Sequence, residues 1–362
     1  MIRDVTKLAD TVFDILVIGG GIYGAAIARE AAYQGLSVAL VEKTDFAHAA
    51  SANSLKIIHG GLRYLQNADL VRMRRSITAR RTLLQIAPHL VKPLQFVVPT
   101  MDTIGRDRTA FWLALRVNDL ISWDRNRNLE ATQRIPNGAV LSRGEFQKLA
   151  PGFKSDRFTG GATWYDAIAT NTERLVLELV MAATEKGACA ANYVKAEGLN
   201  ISNGKVLGVA AIDQLSHQTI NIRAKITVNA AGPGLNHVIG QSVAMPPIRL
   251  NLTKAVNVFV KRNFFKANAV GFYGGNAPRP KGAKRSSSNR LFFCVPWREG
   301  SMIGTTYKAQ TRPSRDLRAT GEDLRELIGR FNYQWPDARV TSEDVGFCHV
   351  GLVPTGIGDM RS

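Results

Sequence analysis

The chain has 362 residues and a mass of 39.6 kDa, a length that predicts two or three domains with sizeable cores. Hydrophobic residues make 45% and charged ones 21%, which excludes a wholly disordered chain; mean hydropathy is −0.08, and no apolar run nears the roughly 20 residues that span a bilayer. Lys and Arg number 47 against 29 Asp and Glu, so the net charge is +18 and points to an anionic partner: a nucleic acid, a lipid face or a substrate.

Residues 1–11 carry Arg3, Asp4, Lys7 and Asp10 and lack the apolar stretch of a secretory signal. Cys189, Cys294 and Cys348 are odd in number and widely spaced, which argues against a disulfide framework or a zinc site, and no metal is expected. The expected location is the cytoplasm, with peripheral docking on the inner membrane face as one reading of the charge. The basic residues cluster at 72–81, at Arg106 and Arg108, at 125–134 and at 279–290. The first and last clusters are the candidate membrane surfaces. No helix-turn-helix, zinc-finger or RNA-recognition signature accompanies them, so nucleic acid ranks below the other partners.

In chain order, 13–18 is a short apolar, β-rich run stopped by Gly19-Gly20-Gly21, the pattern of a buried parallel strand. A helix with small side chains follows over 22–34, with Gly35 as its C-cap. A second strand, 36–41, ends at Glu42 and completes a βαβ unit. An Arg-rich helix is expected over 70–86, stopped by Pro88, and a strand over 94–99. Residues 171–186 read as a helix ended by Gly187, and Asn203-Gly204 marks a hairpin. A buried strand spans 224–229. Strands of a second sheet are expected at 256–260 and 291–295, and a mobile surface loop at 274–290.

Gly19-x-Gly21-x-x-Gly24 sits between the first strand and the first helix. Ala28, Gly35 and Glu42 follow it at the spacing of a dinucleotide-binding βαβ unit. Each has a task. Gly19 makes the tight turn, Gly21 lets backbone approach a pyrophosphate, and Gly24 and Ala28 let the helix pack on the sheet. The helix N-terminus favours the phosphate charge. Glu42 accepts from a ribose hydroxyl and would repel a 2′-phosphate, which disfavours NADP. This pattern alone leaves NAD and FAD open.

Residues 51–64 read Ser-Ala-Asn-Ser-Leu-Lys-Ile-Ile-His-Gly-Gly-Leu-Arg-Tyr. Here the chain closely resembles the FAD-dependent glycerol-3-phosphate dehydrogenases of the D-amino-acid-oxidase-like flavoprotein superfamily. The resemblance continues through 87–93, 166–175, 228–233 (Val-Asn-Ala-Ala-Gly-Pro), Val295-Pro296-Trp297 and Gly304-Thr305-Thr306. It implies an α/β fold with a Rossmann-like FAD-binding domain and a second, antiparallel-sheet (α+β) substrate domain. It implies segments 1–92 and 165–244 for the first domain and 93–164 and 245–350 for the second. Residues 351–362 would begin a flavin-closing segment, with the family's C-terminal part lacking. By position it implies FAD contacts at Gly19, Gly21, Gly24, Glu42, Lys43, Ser51, Ser54, Lys56, Ala231 and Gly232. Arg63, Tyr64 and Lys254 match phosphate and substrate contacts, and a guanidinium fork suits phosphate. His59 is either a proton acceptor or a structural neighbour of the flavin.

Three departures stand out. The family's Lys-Gly-x-His reads Lys254-Ala255-Val256-Asn257, so an amide replaces an imidazole. Its Gly-Thr-Thr-Asp ends in Tyr307. Its Gly-Val-Arg-Pro reads Gly351-Leu352-Val353-Pro354, with Leu352 expected in place of a cationic contact. The implied activity is oxidation of a CH–OH carbon of a small anionic substrate, a polyol phosphate or hydroxy acid, with a quinone or oxygen as electron acceptor. The alternatives are an amine or amino-acid oxidase and a non-catalytic flavin- or nucleic-acid-binding protein.

Overall fold

A computed structural model of the chain describes residues 2–153, 158–240, 250–273, 291–310 and 317–355. The expected loop at 274–290 lies outside them.

Helix α1 (Val5–Asp10), capped by Asp4, precedes strand β1 (Val12–Ile18). Helix α2 (Ile22–Tyr33) buries Gly24, Ala25, Ala28, Ala31 and Ala32 against the sheet; small side chains there let the helix approach closely. Gly35 takes φ +80°, and the Leu36 amide bonds back to Ala31. The helix ending therefore consumes Leu36, and the second strand, β2 (Val38–Val41), starts later than expected. Next come β3 (Ile57–Ile58), helix α3 (Leu70–Ile86), β4 (Val91–Met101), α4 (Arg108–Ile121), β5 (Ala139–Leu141), α5 (Arg143–Leu149) and β6 (Phe158–Ala169). Helix α6 (Thr172–Glu185), capped by Asn171, leads to β7 (Cys189–Ala191), β8 (Val194–Ser202), β9 (Lys205–Asp213) and β10 (Thr219–Asn229). Asn203 and Gly204, at φ +49° and +72°, turn the β8–β9 hairpin as expected. Helix α7 (Leu235–Gly240), β11 (Asn251–Val260), β12 (Asn268–Tyr273), β13 (Leu291–Trp297), β14 (Gly300–Gln310), α8 (Gly321–Gln334) and β15 (Val345–Thr355) complete the described chain.

These strands form two sheets. The first has the order β7-β2-β1-β10-β9-β8, parallel from β7 to β10 and antiparallel from there to β8. Helices α2 and α6 pack one face through Ala28, Val176 and Val180. The second has the order β15-β11-β14-β13-β12-β4-β6-β3, with β5 added to β6. It is antiparallel except where β12 pairs β4. Helix α8 covers one face through Leu327 and Phe331, in a core with Phe146, Phe272 and Val258. The architecture is the α/β, two-sheet arrangement expected. Three of the expected segment junctions fall inside strands: β4 runs through 92/93, β6 through 164/165 and β15 through 350/351.

Several arginines of α3, the helix read as a candidate lipid-facing surface, are paired within the molecule. Arg74 and Arg81 both pair with the carboxylate of buried Asp124, and Arg80, 4% exposed, pairs with Asp166. Three of its charges are thus paired with acidic partners, while Arg72 and Arg75 are exposed. The pairing pulls the Asp124 carboxyl far below the usual carboxylate range.

Candidate active site

A cavity of about 1220 Å³ opens where the two sheets meet. The glycine turn after β1, the end of β2, loop 48–54, the start of α6, β8, the 230–234 turn and β15 all contribute to its wall. Of the expected cofactor residues, Gly19, Gly21, Glu42, Lys43, Ser51, Ser54, Lys56, Ala231 and Gly232 line it. Gly24 does not: it packs behind the turn, where an added Cβ would stand 1.8 Å from the Gly19 carbonyl oxygen. Gly19 itself takes φ +108°, which requires glycine.

The turn is held from both sides. One Glu42 oxygen accepts from the Gly20 amide at 2.7 Å, and the other accepts from the Thr44 amide at 2.9 Å. Ser51 Oγ accepts from the Ile22 amide at 2.9 Å and so caps α2, whose own N-cap residue is Gly21. Lys56 is 1% exposed, with φ +64°. Its ammonium donates to the Ala52 carbonyl at 2.7 Å, Thr172 Oγ1 at 2.8 Å and Glu173 at 3.3 Å, which uses all three of its hydrogens. Burial pushes its pKa down, against the pull of Glu173. Thr172 and Glu173, within the resembling stretch 166–175, were given no role there, and the β8 residues Val194, Lys195 and Ala196 went unmarked. The cap signature Asn171-Thr172-Glu173, directly after a strand, is the signal that could have found the first two.

The expected substrate residues do not line this cavity. His59, Arg63 and Tyr64 form a separate cluster on and before a short 3-10 turn, Leu62–Asn67. The His59 and Tyr64 rings meet edge to face at 5.8 Å, and the Arg72 guanidinium sits 4.8 Å over Tyr64. His59 and Arg63 are exposed. The protein bulk around His59 depresses its pKa, Asp166 raises it, and the cations Arg63, Arg80 and Arg72 depress it further. Lys254 was expected to be an available cation. Instead its ammonium is 2.7 Å from the fully buried Asp323 carboxylate of α8, which also pairs with Lys308. The charge of Lys254 serves that junction. The motif in β15 also needs correcting. The third of its four places, the arginine's, falls on Val353, which is 39% exposed, against 7% for Leu352; both line the cavity.

Known proteins are similar to this chain over nearly its whole length. A family model described as DAO, FAD dependent oxidoreductase, matches residues 14–361. A glycerol-3-phosphate dehydrogenase of Synechocystis is 33% identical over 97% of this chain and 62% of that protein. An alpha-glycerophosphate oxidase of Streptococcus pyogenes is 33% identical over 98% of this chain and 56% of that protein. The chain thus spans little more than half the length of these relatives. The FAD complex of the glycerol-3-phosphate dehydrogenase from Bacillus halodurans superposes with a TM-score of 0.71 at 27% identity, over 97% of this chain and 58% of that one. This chain belongs to the family of FAD-dependent oxidoreductases.

Proposed function

We propose that the chain binds FAD and oxidises the CH–OH carbon of a small anionic substrate of the glycerol-3-phosphate type to a ketone. The observation that carries this reading is the cavity itself. It runs from a bare-backbone glycine turn to the edge of the second sheet, and it exceeds the roughly 300–1,000 Å³ of drug-sized sites, as a dinucleotide requires. The residues fit the group. At Gly21 the nearest atom to an added Cβ is Ser51 Oγ at 3.1 Å, so a cradle stands open there. The α2 N-terminus and Gly19–Gly21 backbone suit a pyrophosphate. Glu42 and Lys43 suit the adjoining ribose. Ser51 and Ala231 flank the glycine turn, with Gly232 next in sequence, and Ser54 and Lys56 suit the ring end. When bound, FAD supplies the two-electron acceptor for the C–H bond. Arg63, exposed and outside the cavity lining, is the guanidinium that the resemblance offers for the substrate's anionic group. The final acceptor is a quinone or oxygen.

The test is anaerobic bleaching of the FAD-loaded chain with glycerol 3-phosphate, hydroxy acids and amino acids. Bleaching by a hydroxyl substrate supports the reading; bleaching by amino acids alone, or by nothing, sinks it. Val353 at an arginine's place and Asn257 at a histidine's make glycerol 3-phosphate a weak ligand. Arg63→Ala should weaken it further, by about 10–150-fold in affinity, the worth of a charge-assisted hydrogen bond of about 1.5–3 kcal/mol.

The lipid-facing surface, in this reading, is α4 and its flanks. Trp112, Leu113, Leu120, Trp123 and Ile104 are all more than half exposed, with Arg108, Arg116 and Arg127 among them. Trp112, Arg116 and Leu120 recur at helical spacing on α4, and Trp123 follows its C-cap Ser122. Aromatic and aliphatic side chains interleaved with arginine suit an anionic lipid interface. No described helix is long and apolar enough to cross a membrane. Cosedimentation with anionic vesicles should fall as salt shortens the Debye length from about 10 Å at 0.1 M to about 3 Å at 1 M. Trp112→Ser with Trp123→Ser should abolish it at low salt. Equal binding to neutral and anionic vesicles would overturn this assignment.

A further inference from the structure

β11 and β15 pair antiparallel, and Asn257 lies directly opposite His349. Side chains opposite one another project from the same face, about 4.5–5.5 Å apart at Cβ. Phe259 and Phe347 form the next such pair on that face, stacked at 4.8 Å. Asn257 is buried, and its Oδ1 accepts from the Thr305 hydroxyl at 2.6 Å. An amide cannot take a proton near neutral pH. An imidazole is nevertheless present one strand over.

His349 is half-buried, between Phe347 at 5.1 Å and Trp297 at 6.2 Å. Gly351, two residues on and so on the same face of β15, lines the cavity. Its Nδ1 stands 3.1 Å from the carbonyl oxygen of Ser54, another lining residue. A carbonyl oxygen only accepts, so Nδ1 carries the hydrogen. In the neutral ring Nε2 is then the lone-pair nitrogen. A fixed tautomer of this kind is what a proton acceptor needs.

We propose that His349 is the proton acceptor for the oxidation, its Nε2 taking the substrate's hydroxyl proton in the role that an imidazole at position 257 would otherwise fill. The inference rests on the reading of the site as one for CH–OH oxidation. The O–H bond breaks and its proton goes to Nε2. Its electron pair becomes the second C–O bond of the ketone. The carbon's hydrogen leaves with its bonding pair to the flavin cofactor, which is reduced by two electrons. Besides Ser54, the groups facing the ring are Lys56 before β3, Glu173 of α6 and Arg298 after β13. Burial lowers the imidazole pKa, the Ser54 carbonyl raises it, Lys56 lowers it, Glu173 raises it and Arg298 lowers it; the net direction is down. The ring is therefore neutral at pH 7, and the rate should rise with pH through a midpoint below about 6.5 and then level off.

His349→Gln and His349→Asn in the FAD-loaded chain test this. Anaerobic flavin reduction by the bleaching substrate should slow by about 10²–10⁴-fold, the worth of general-base catalysis. Flavin content and substrate affinity should stay unchanged, and the acidic limb of the rate profile should vanish. A second readout needs no turnover. In ¹⁵N-histidine NMR of the cofactor-free chain, the imidazole missing from the His349→Gln spectrum should be the Nδ1–H tautomer and titrate below about 6.5. An Nε2–H tautomer, or a higher midpoint, overturns the proposal. Variants that reduce flavin as fast as the parent overturn it while leaving the oxidation reading intact. A parent chain that no hydroxyl substrate bleaches overturns both.

Discussion

Gly24→Ala is expected to yield a chain that retains no FAD and melts below the parent. The added methyl would sit 1.8 Å from the Gly19 carbonyl oxygen and 3.0 Å from its carbon. Neither atom can yield. Gly19 holds φ +108°, its amide donates to Val41 at 2.8 Å, and Ala230 lies against its other side. The strain must lift α2 off β1, out of a core built from Val17, Ala25, Ala28 and Val180. Overpacking of this kind costs about 1–3 kcal/mol and sometimes more. The turn that should cradle the pyrophosphate moves with the helix. Gly21→Ala is the informative contrast. Gly21 sits at φ −78°, ψ −176°, a conformation open to any residue, with only Ser51 Oγ near the new methyl. This variant should melt with the cofactor-free parent yet bind FAD poorly, because the methyl occupies the open cradle. Flavin retained after gel filtration, and melting of both cofactor-free variants, read the two effects apart. A Gly24→Ala chain with full flavin content would mean that the turn is not what holds the cofactor.

The contrast also shows which parts of the molecule a sequence can carry. The βαβ unit was legible because its determinants lie within about one motif of each other. Apolar strands, small residues on a helix face and Gly35 at a left-handed position all act locally. The cofactor end of the cavity was legible for the same reason. The strand β6 was not. Gly160 and Gly161 lie mid-sheet in it, where missing side chains admit the Leu141 carbonyl and the Phe146 ring, and no local pattern announces such a strand. The arginines of 72–81 suggested a solvated or lipid-facing surface. Their partners, Asp124 and Asp166, lie 43 to 86 residues away, and nothing local announces such pairs. Lys254 was misjudged in the same way, since Asp323 is 69 residues downstream. His349 drew no notice because its meaning depends on strand register. Only the β11–β15 pairing sets it opposite Asn257 and within reach of Ser54.

Asp166→Ala should be the most damaging single change outside the cofactor turn, at about 3–5 kcal/mol, the usual cost of stranding one partner of a buried ion pair. Asp166 is 5% exposed and fully engaged. Its Oδ1 accepts from the Gly60 amide at 2.5 Å and from the Arg80 guanidinium, and its Oδ2 accepts from the Trp164 indole at 3.0 Å. Arg80 in turn donates to the Tyr165 carbonyl and packs so tightly on Gly60 that a Cβ there would stand 2.4 Å from it. Without the carboxylate, a 4%-exposed guanidinium loses its counter-charge and the Gly60 amide loses its acceptor. Denaturant unfolding measures the loss. A change below about 1 kcal/mol, the scale of an exposed pair, would show that the two charges are not buried as described. Arg80→Met combined with Asp166→Leu isolates the cause. If the stranded charge dominates, the double variant, which has no charge to strand, is more stable than Asp166→Ala alone. Both variants release Gly60, the residue between His59 and the turn that carries Arg63 and Tyr64. Anion affinity should therefore fall in both, including the one that regains stability, because the brace that positions Arg63 is absent from each.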